Sequence, residues 1–236
     1  MKRVYAQMVR PTVLTKVAVV AGVAAIAWSV SFLLVRYAAL PSELPVHFMS
    51  NGRPDGWQFK TYWRVLLPVF VQAALALILG AIGTLLLSRA HGVHDIDAPD
   101  VKAAATAAEA VALLTLIWVL FQGYVAVALA VMWQRQREGL GPVYNYLEIA
   151  GLVLTVVVSV RAHSRLGRPA ARPFVAEHWR YGQLYKNAAD PALFVPTRHG
   201  RRWTLNFGRP VAAALMGLVL ALGIVCPAVI LGLLLR

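Results

Sequence analysis

Only one cysteine, Cys226, occurs in the 236 residues, so no intrachain disulfide and no thiolate metal cluster can be built from this chain. Cys226 lies within an apolar run, where a small packing residue is expected. Other signatures are missing too. There is no glycine-rich nucleotide loop, no H-E-x-x-H pair, no structural zinc spacing and no haem or iron–sulfur motif. No cofactor is therefore expected. Charge is scarce: 14% of residues are charged and 59% hydrophobic, with a mean hydropathy of +0.64. Soluble domains are about a quarter charged. An ordinary soluble domain is excluded.

What is present instead is a set of charge-free runs: Val17–Val35, Val65–Ser88, Ala110–Gln134 and Pro210–Leu235. Crossing a bilayer core takes roughly 20 apolar residues of helix, so each run predicts a span. A further span is predicted over Tyr144–Ala162, where Glu148 and Arg161 sit near the two ends. The first run exceeds the roughly 7–15 residues of a signal-peptide core, and no small-x-small cleavage site precedes Arg36. It is expected to be a retained helix. The expected fold class is an all-α integral membrane protein with about five transmembrane helices, a structured outer loop and a small cytoplasmic β-hairpin-containing insertion. Residues 1–90 form a two-helix unit around an outer motif loop at 40–63. Residues 91–162 hold helices three and four, 163–209 the insertion, and 210–236 the last helix.

The net charge of +13 invites a nucleic-acid reading, but the positions of the basic residues favour another. With five spans and the amino terminus inside, sixteen of the 23 Lys and Arg fall on the cytoplasmic side and seven outside. That bias orients the chain with its amino terminus cytoplasmic and its carboxyl terminus extracytoplasmic. The ten basic residues between Arg161 and Arg209 are expected to face anionic headgroups of the lipid bilayer rather than nucleic acid.

Between the first two runs lies LPSELPVHFMSNGRPDGWQFK, residues 40–60. Pro41 and Pro45 push their predecessors into extended backbone, and Asn51-Gly52 and Pro54-Asp55-Gly56 are turn chemistry. Val46-His47-Phe48 reads as one short strand. The stretch is expected to be an ordered cap, anchored by Trp57 and Phe48, with His47, Asp55 and Lys60 in a local polar network. These five are the candidate binding residues. A histidine beside a carboxylate is a general-base arrangement, but no nucleophile accompanies it beyond Ser50, so no catalytic residue is assigned. The arrangement of Pro41, Leu44, Pro45, His47, Phe48, Gly52, Pro54, Asp55, Trp57 and Lys60 resembles a short membrane domain of unknown function found in SdpI-type bacterial immunity and signalling proteins. The resemblance covers roughly the first 90 residues.

A second pattern spans the insertion, HWRYGQLYKNAADPALFVPTRHGRRWTLNFGRP. Trp179, Tyr185, Asn187, Asp190, Phe194, Arg198, Trp203 and Asn206, with Gly182, Gly200 and Gly208 among others, resemble another bacterial domain of unknown function. That pattern has glycine where Arg202 stands, which predicts a distorted or different turn here. Leu193–Pro196 and Trp203–Phe207 read as a β-hairpin around a glycine-containing loop.

Two further constellations are candidates for chemistry. His91, His94, Asp95, Asp97 and Asp100 crowd imidazoles and carboxylates into ten residues. They are weak candidates for a divalent metal, set against a polar loop in which Asp97 or Asp100 caps the third helix. Glu109 is an acid inside a membrane helix, which marks either a buried functional or pairing group or one at headgroup depth. The function expected from the sequence is a non-enzymatic bacterial inner-membrane sensor, immunity or accessory protein with a protein or peptide partner. The alternative is a membrane enzyme or transport component using Glu109 and the His91–Asp100 loop.

Overall fold

The computed structural model describes residues 7–49, 54–89, 99–137, 139–166, 169 and 173–234. The element order is β1 (Gln7–Met8), α1 (Val13–Arg36), β2 (Glu43–Phe48), β3 (Pro54–Phe59), α2 (Tyr62–Val65), α3 (Leu67–Leu87), β4 (Ser88–Arg89), α4 (Pro99–Arg135), α5 (Pro142–Leu166), β5 (Trp179–Arg180), β6 (Leu184–Tyr185), β7 (Phe194–Pro196), β8 (Trp203–Leu205) and α6 (Pro210–Leu234). The chain is mostly helical, and its strands form separate two-stranded antiparallel pairs. Among the described residues, four helices are long and apolar enough to cross a membrane: Val13–Ala39, Leu67–Leu87, Asp100–Arg135 and Pro142–Leu166. The span expected over 144–162 lies inside the last of these. Helix α6 runs Pro210–Leu234, and among the described residues Pro210–Ala221 is its apolar stretch.

The contacts divide the chain into two compact units. One comprises Val13–Gly80 and Ala110–Arg161. Its core gathers Leu33, Leu40, Leu44, Val65, Val69, Ala126, Ala130, Met132 and Trp133. Alanine and glycine on α4 let neighbouring helices approach closely, the usual device of apolar helix packing. Above Gly123 sits a buried polar contact: Gln72 Nε2 donates to Ser29 Oγ (3.2 Å) and to the carbonyl of Val119 (2.8 Å). Gly151 on α5 lies against Trp118, whose indole N–H donates to Thr155 Oγ1 at 3.2 Å. Elsewhere α5 leaves Val153, Leu154, Val156, Val157 and Val160 exposed, a surface suited to lipid rather than water.

The other unit comprises Met1–Thr12, Ala81–Glu109 and Ala162–Arg236. β1 pairs with β4, continued by the Val9 amide donating to the Leu87 carbonyl at 2.8 Å. The first turns of α4 bury Ala103, Ala104 and Ala108. Pro99 opens that helix, where a missing N–H costs nothing. Asp100 therefore lies in its first turn rather than at the cap, and Asp97 is outside the described residues. α5 runs on through Leu166, so the connection to α6 begins later than residue 163.

Four helix-crossing lengths rest on apolar burial, but Gly123 sets one specific approach. A Cβ there would lie 3.3 Å from Gln72 Nε2 and 3.4 Å from Ser29 Oγ, so the two fully buried side chains would have to give by a few tenths of an ångström. Gly22 of α1 faces open space at the same position. Gly22→Ala is expected to be neutral or stabilising, by up to about 1 kcal/mol of helix propensity. Gly123→Ala is expected to lose the Gln72–Ser29 hydrogen bond, about 1 kcal/mol, and to unfold at lower temperature than Gly22→Ala in mild detergent. Equal midpoints for the two variants would contradict the constraint.

Candidate functional site

The motif at residues 40–60 folds as a hairpin of two six-residue strands, where the sequence suggested one short strand. Glu43 pairs with Phe59, Leu44 with Gln58, Pro45 with Trp57, His47 with Gly56 and Phe48 with Pro54, with register shifts around Val46 and His47. Gly56 is needed for close approach: a Cβ there would stand 2.8 Å from His47 Cβ. Because paired residues share a face, Leu44 and Gln58 occupy one side, and Pro45, Trp57, Glu43 and Phe59 the other. Leu44 is fully buried, while Trp57 is 56% and Phe59 71% exposed. The expected anchoring by Trp57 is therefore corrected. Leu44 anchors the hairpin, together with the Trp133 indole N–H donating to the Pro45 carbonyl at 3.1 Å. Phe48 ends its strand, and its side chain lies outside the described residues.

The expected polar network divides in two. His47 Nδ1 and Asp55 Oδ1 are 2.5 Å apart on the hairpin surface. Lys60 does not join them. Its ammonium donates to the carbonyls of Tyr37 (3.1 Å) and Leu40 (2.8 Å) and lies over the Tyr37 ring, which stacks on Tyr62. Those carbonyls follow the end of α1, where unpaired C=O groups attract a cation. Lys60 thus ties the hairpin's exit to the end of the first helix. Ser50 and Gly52 lie outside the described residues.

In the segment before α6, the residues of the second pattern serve two purposes. Asn206 is fully buried and holds the loop together. Its Oδ1 accepts from the amides of Asn187 (3.0 Å) and Gly208 (2.9 Å). Its Nδ2 donates to the carbonyls of Asn187 (2.8 Å), Asp190 (3.1 Å) and Ala192 (3.2 Å). Asn187 and Asp190 each accept from the amide two residues on, as turn-forming side chains do. Gly208 packs where a side chain would collide with the Asn187 backbone. Phe194 and Trp203 lie on the paired strands β7 and β8. The turn between them uses Gly200 at φ 64°, so Arg202 needs no left-handed backbone and the glycine expected there is not missed.

Trp179, Tyr185 and Arg198, by contrast, line a cavity of about 50 Å³ with Phe174, His178 and Pro196. The Arg198 guanidinium sits 4.5 Å over the Phe174 ring, and the Tyr185 hydroxyl donates to Asp190 at 3.0 Å.

Glu109 is buried, and both carboxylate oxygens are engaged: Thr12 donates at 2.7 Å and Arg165 at 3.1 Å. It sits ten residues into α4, about 15 Å from that end at 1.5 Å per residue. It is a pairing acid. His91, His94, Asp95 and Asp97 lie outside the described residues, and among the described residues no group of three metal-binding side chains occurs. Sequence reading missed Thr12 and Arg165 as partners of Glu109, because both are remote in the chain. It also missed Gln72, although an amide within a charge-free run was itself a signal.

Residues 22–71 match the model of a domain of unknown function, DUF1648. The match takes in most of α1, the hairpin and the start of α3, and does not extend to residues 179–208. No curated protein and no solved structure matches the chain.

The roles of Leu44 and Trp57 are separable. Leu44→Ala is expected to destabilise by about 2–5 kcal/mol. Trp57→Ala, at an exposed position, is expected to change stability by about 0.5 kcal/mol or less. Hydrogen exchange of residues 43–59 in bilayer discs should show lost protection in the first variant alone.

Proposed function

We propose that the chain is a multi-pass protein of a bacterial cytoplasmic membrane with no reaction of its own. It recognises a protein or peptide partner through the hairpin Glu43–Phe59 and serves as a sensor, immunity or accessory subunit. The observation that carries this reading is the construction of the hairpin. Leu44 and Trp133 fix it on one face, while the other presents Trp57 and Phe59. Among the described residues neither outer strand edge pairs with a further strand. Pro45 and the register shift at Val46 blunt the edge of β2, leaving β3 as the more open one. An extended peptide adds to such an edge through main-chain hydrogen bonds, and neighbouring side chains supply the choice of sequence. The exposed His47–Asp55 pair stands at one end of that surface.

In this reading α6 is a fifth span, the amino terminus and the segment before α6 are cytoplasmic, and residues 40–63 are outside. The excess of basic residues on one side supports that orientation. The rival reading, transport or catalysis through Glu109, is less well supported because Thr12 and Arg165 already engage its carboxylate.

Two measurements test the proposal. A photoreactive phenylalanine analogue at Phe59, on the face that carries Trp57, should give a crosslinked adduct of one discrete mass in native membranes, and His47→Ala should reduce it. The same residue at Tyr146, on the exposed surface of α5, should give none. Lipid or solvent adducts alone at position 59 would sink the reading. For orientation, a Cys226→Ser background carrying Ser42→Cys should react with an impermeant maleimide in intact cells. Ala188→Cys should react only after permeabilisation, and labelling of it from outside would reverse the topology.

A further inference from the structure

Among the described residues, Gln72 Oε1 is the buried side-chain polar atom with no hydrogen-bond partner. The orientation of this amide is fixed by its neighbours. Both hydrogens of Nε2 are used, on Ser29 Oγ and on the Val119 carbonyl. Turning the amide over would set Oε1 against the Val119 carbonyl, two acceptors face to face. Ser29 has no proton for it either, because its hydroxyl donates to the Ala25 carbonyl at 2.9 Å. The acceptor is therefore Oε1, and among the described residues no donor reaches it.

An acceptor left dry in a protein interior keeps its full desolvation cost. Inside helices of bilayer length there is no bulk water to relieve it. What can supply the donor is narrowed by elimination. Gln72 is fully buried, which excludes a lipid headgroup or a partner chain. The nearby helical amides are committed to their own helices. A metal or ammonium ion would need a counter-charge, and among the described residues the buried polar side chains of this unit are the neutral Thr15, Ser29 and Gln72. The donor must be small, neutral and internal.

We propose that one water molecule is bound at Gln72 Oε1, within the helical interior of this unit. It gives one hydrogen to Oε1. Its second hydrogen has an acceptor at hand in Ser29 Oγ, which keeps a second lone pair; the Val119 carbonyl has none left, since it takes the Gln72 amide as well as the Gly123 amide of its own helix. Buried waters sit at such places, joining two to four polar groups that the chain cannot satisfy by itself. The site joins α1, α3 and α4 at one hydrated point, through Ser29, Gln72 and Val119.

The sequence supplies a direct test. Val71-Gln72 is the one Val–Gln dipeptide in the chain, so ¹³C′-valine with ¹³C,¹⁵N-glutamine marks Gln72 uniquely in the unmodified protein. The protein is reconstituted in lipids with deuterated acyl chains, and magnetisation transfer from water protons to side-chain Cδ is measured by solid-state NMR. Transfer from water to the Gln72 side chain that is lost after exchange into D₂O is expected. Absence of transfer at Gln72, or transfer that persists in D₂O and so comes from protein protons, overturns the proposal. Because the wild-type chain is used, no outcome depends on a variant folding.

Discussion

A polar group inside an apolar helix of bilayer length has no solvent to fall back on, and that constraint organises the interior of this protein. Main-chain groups meet it by forming helices. The few buried polar side chains meet it by reaching across to another element. Ser29, Gln72 and the Val119 carbonyl do so in one unit, and Thr12, Glu109 and Arg165 in the other. In both cases the contact is between segments distant in sequence, so each polar group also selects a packing arrangement. Valine and leucine alone would tolerate many rotations of one helix about its axis. An amide that must find an acceptor tolerates few.

That dependence on distant partners explains what could be read from the sequence and what could not. Helices were legible because a charge-free run of sufficient length is a local property, as at Val65–Ser88 and Ala110–Gln134. Turn chemistry at Pro54-Asp55-Gly56 was legible for the same reason. The pairing of β2 with β3 was only half visible: Pro41 and Pro45 announced extended backbone, but nothing local said that Glu43 would meet Phe59. The assignment of Trp57 as anchor failed because size and hydrophobicity do not say which face of a strand is buried. Leu44, one residue out of phase with Trp57's partner Pro45, points inward instead. Lys60 was placed with the nearest opposite charge in sequence, while its ammonium found the carbonyls at the end of α1.

The segment before α6 carries a related lesson. Its pattern reads as one motif, yet Asn206, Asn187 and Asp190 are occupied in holding the chain's own turns. An amide with five backbone partners has nothing left to offer a ligand. Trp179, Tyr185 and Arg198 line a cavity, so a functional role, if sought within this pattern, falls on them and not on the asparagines. A sequence motif therefore need not be a site. Here most of its polar members are accounted for by backbone geometry.

The hairpin differs from both in where its polar pair lies. His47 and Asp55 are on the surface, with the imidazole 72% exposed. Exposed ion pairs contribute roughly 0–1 kcal/mol, too little to explain the hairpin's order, which Leu44, Trp133 and Lys60 already supply. The pair is thus dispensable for the shape, while Gly56 leaves the room that the Cβ of residue 47 occupies. A surface element held rigid by contacts on its hidden face loses little further freedom when something docks on the open one. Reducing that ordering cost strengthens binding without any added contact. The same burial of Leu44 that frees Trp57 and Phe59 from structural duty therefore makes them effective as a contact surface, which is the physical content of the recognition role proposed for this hairpin.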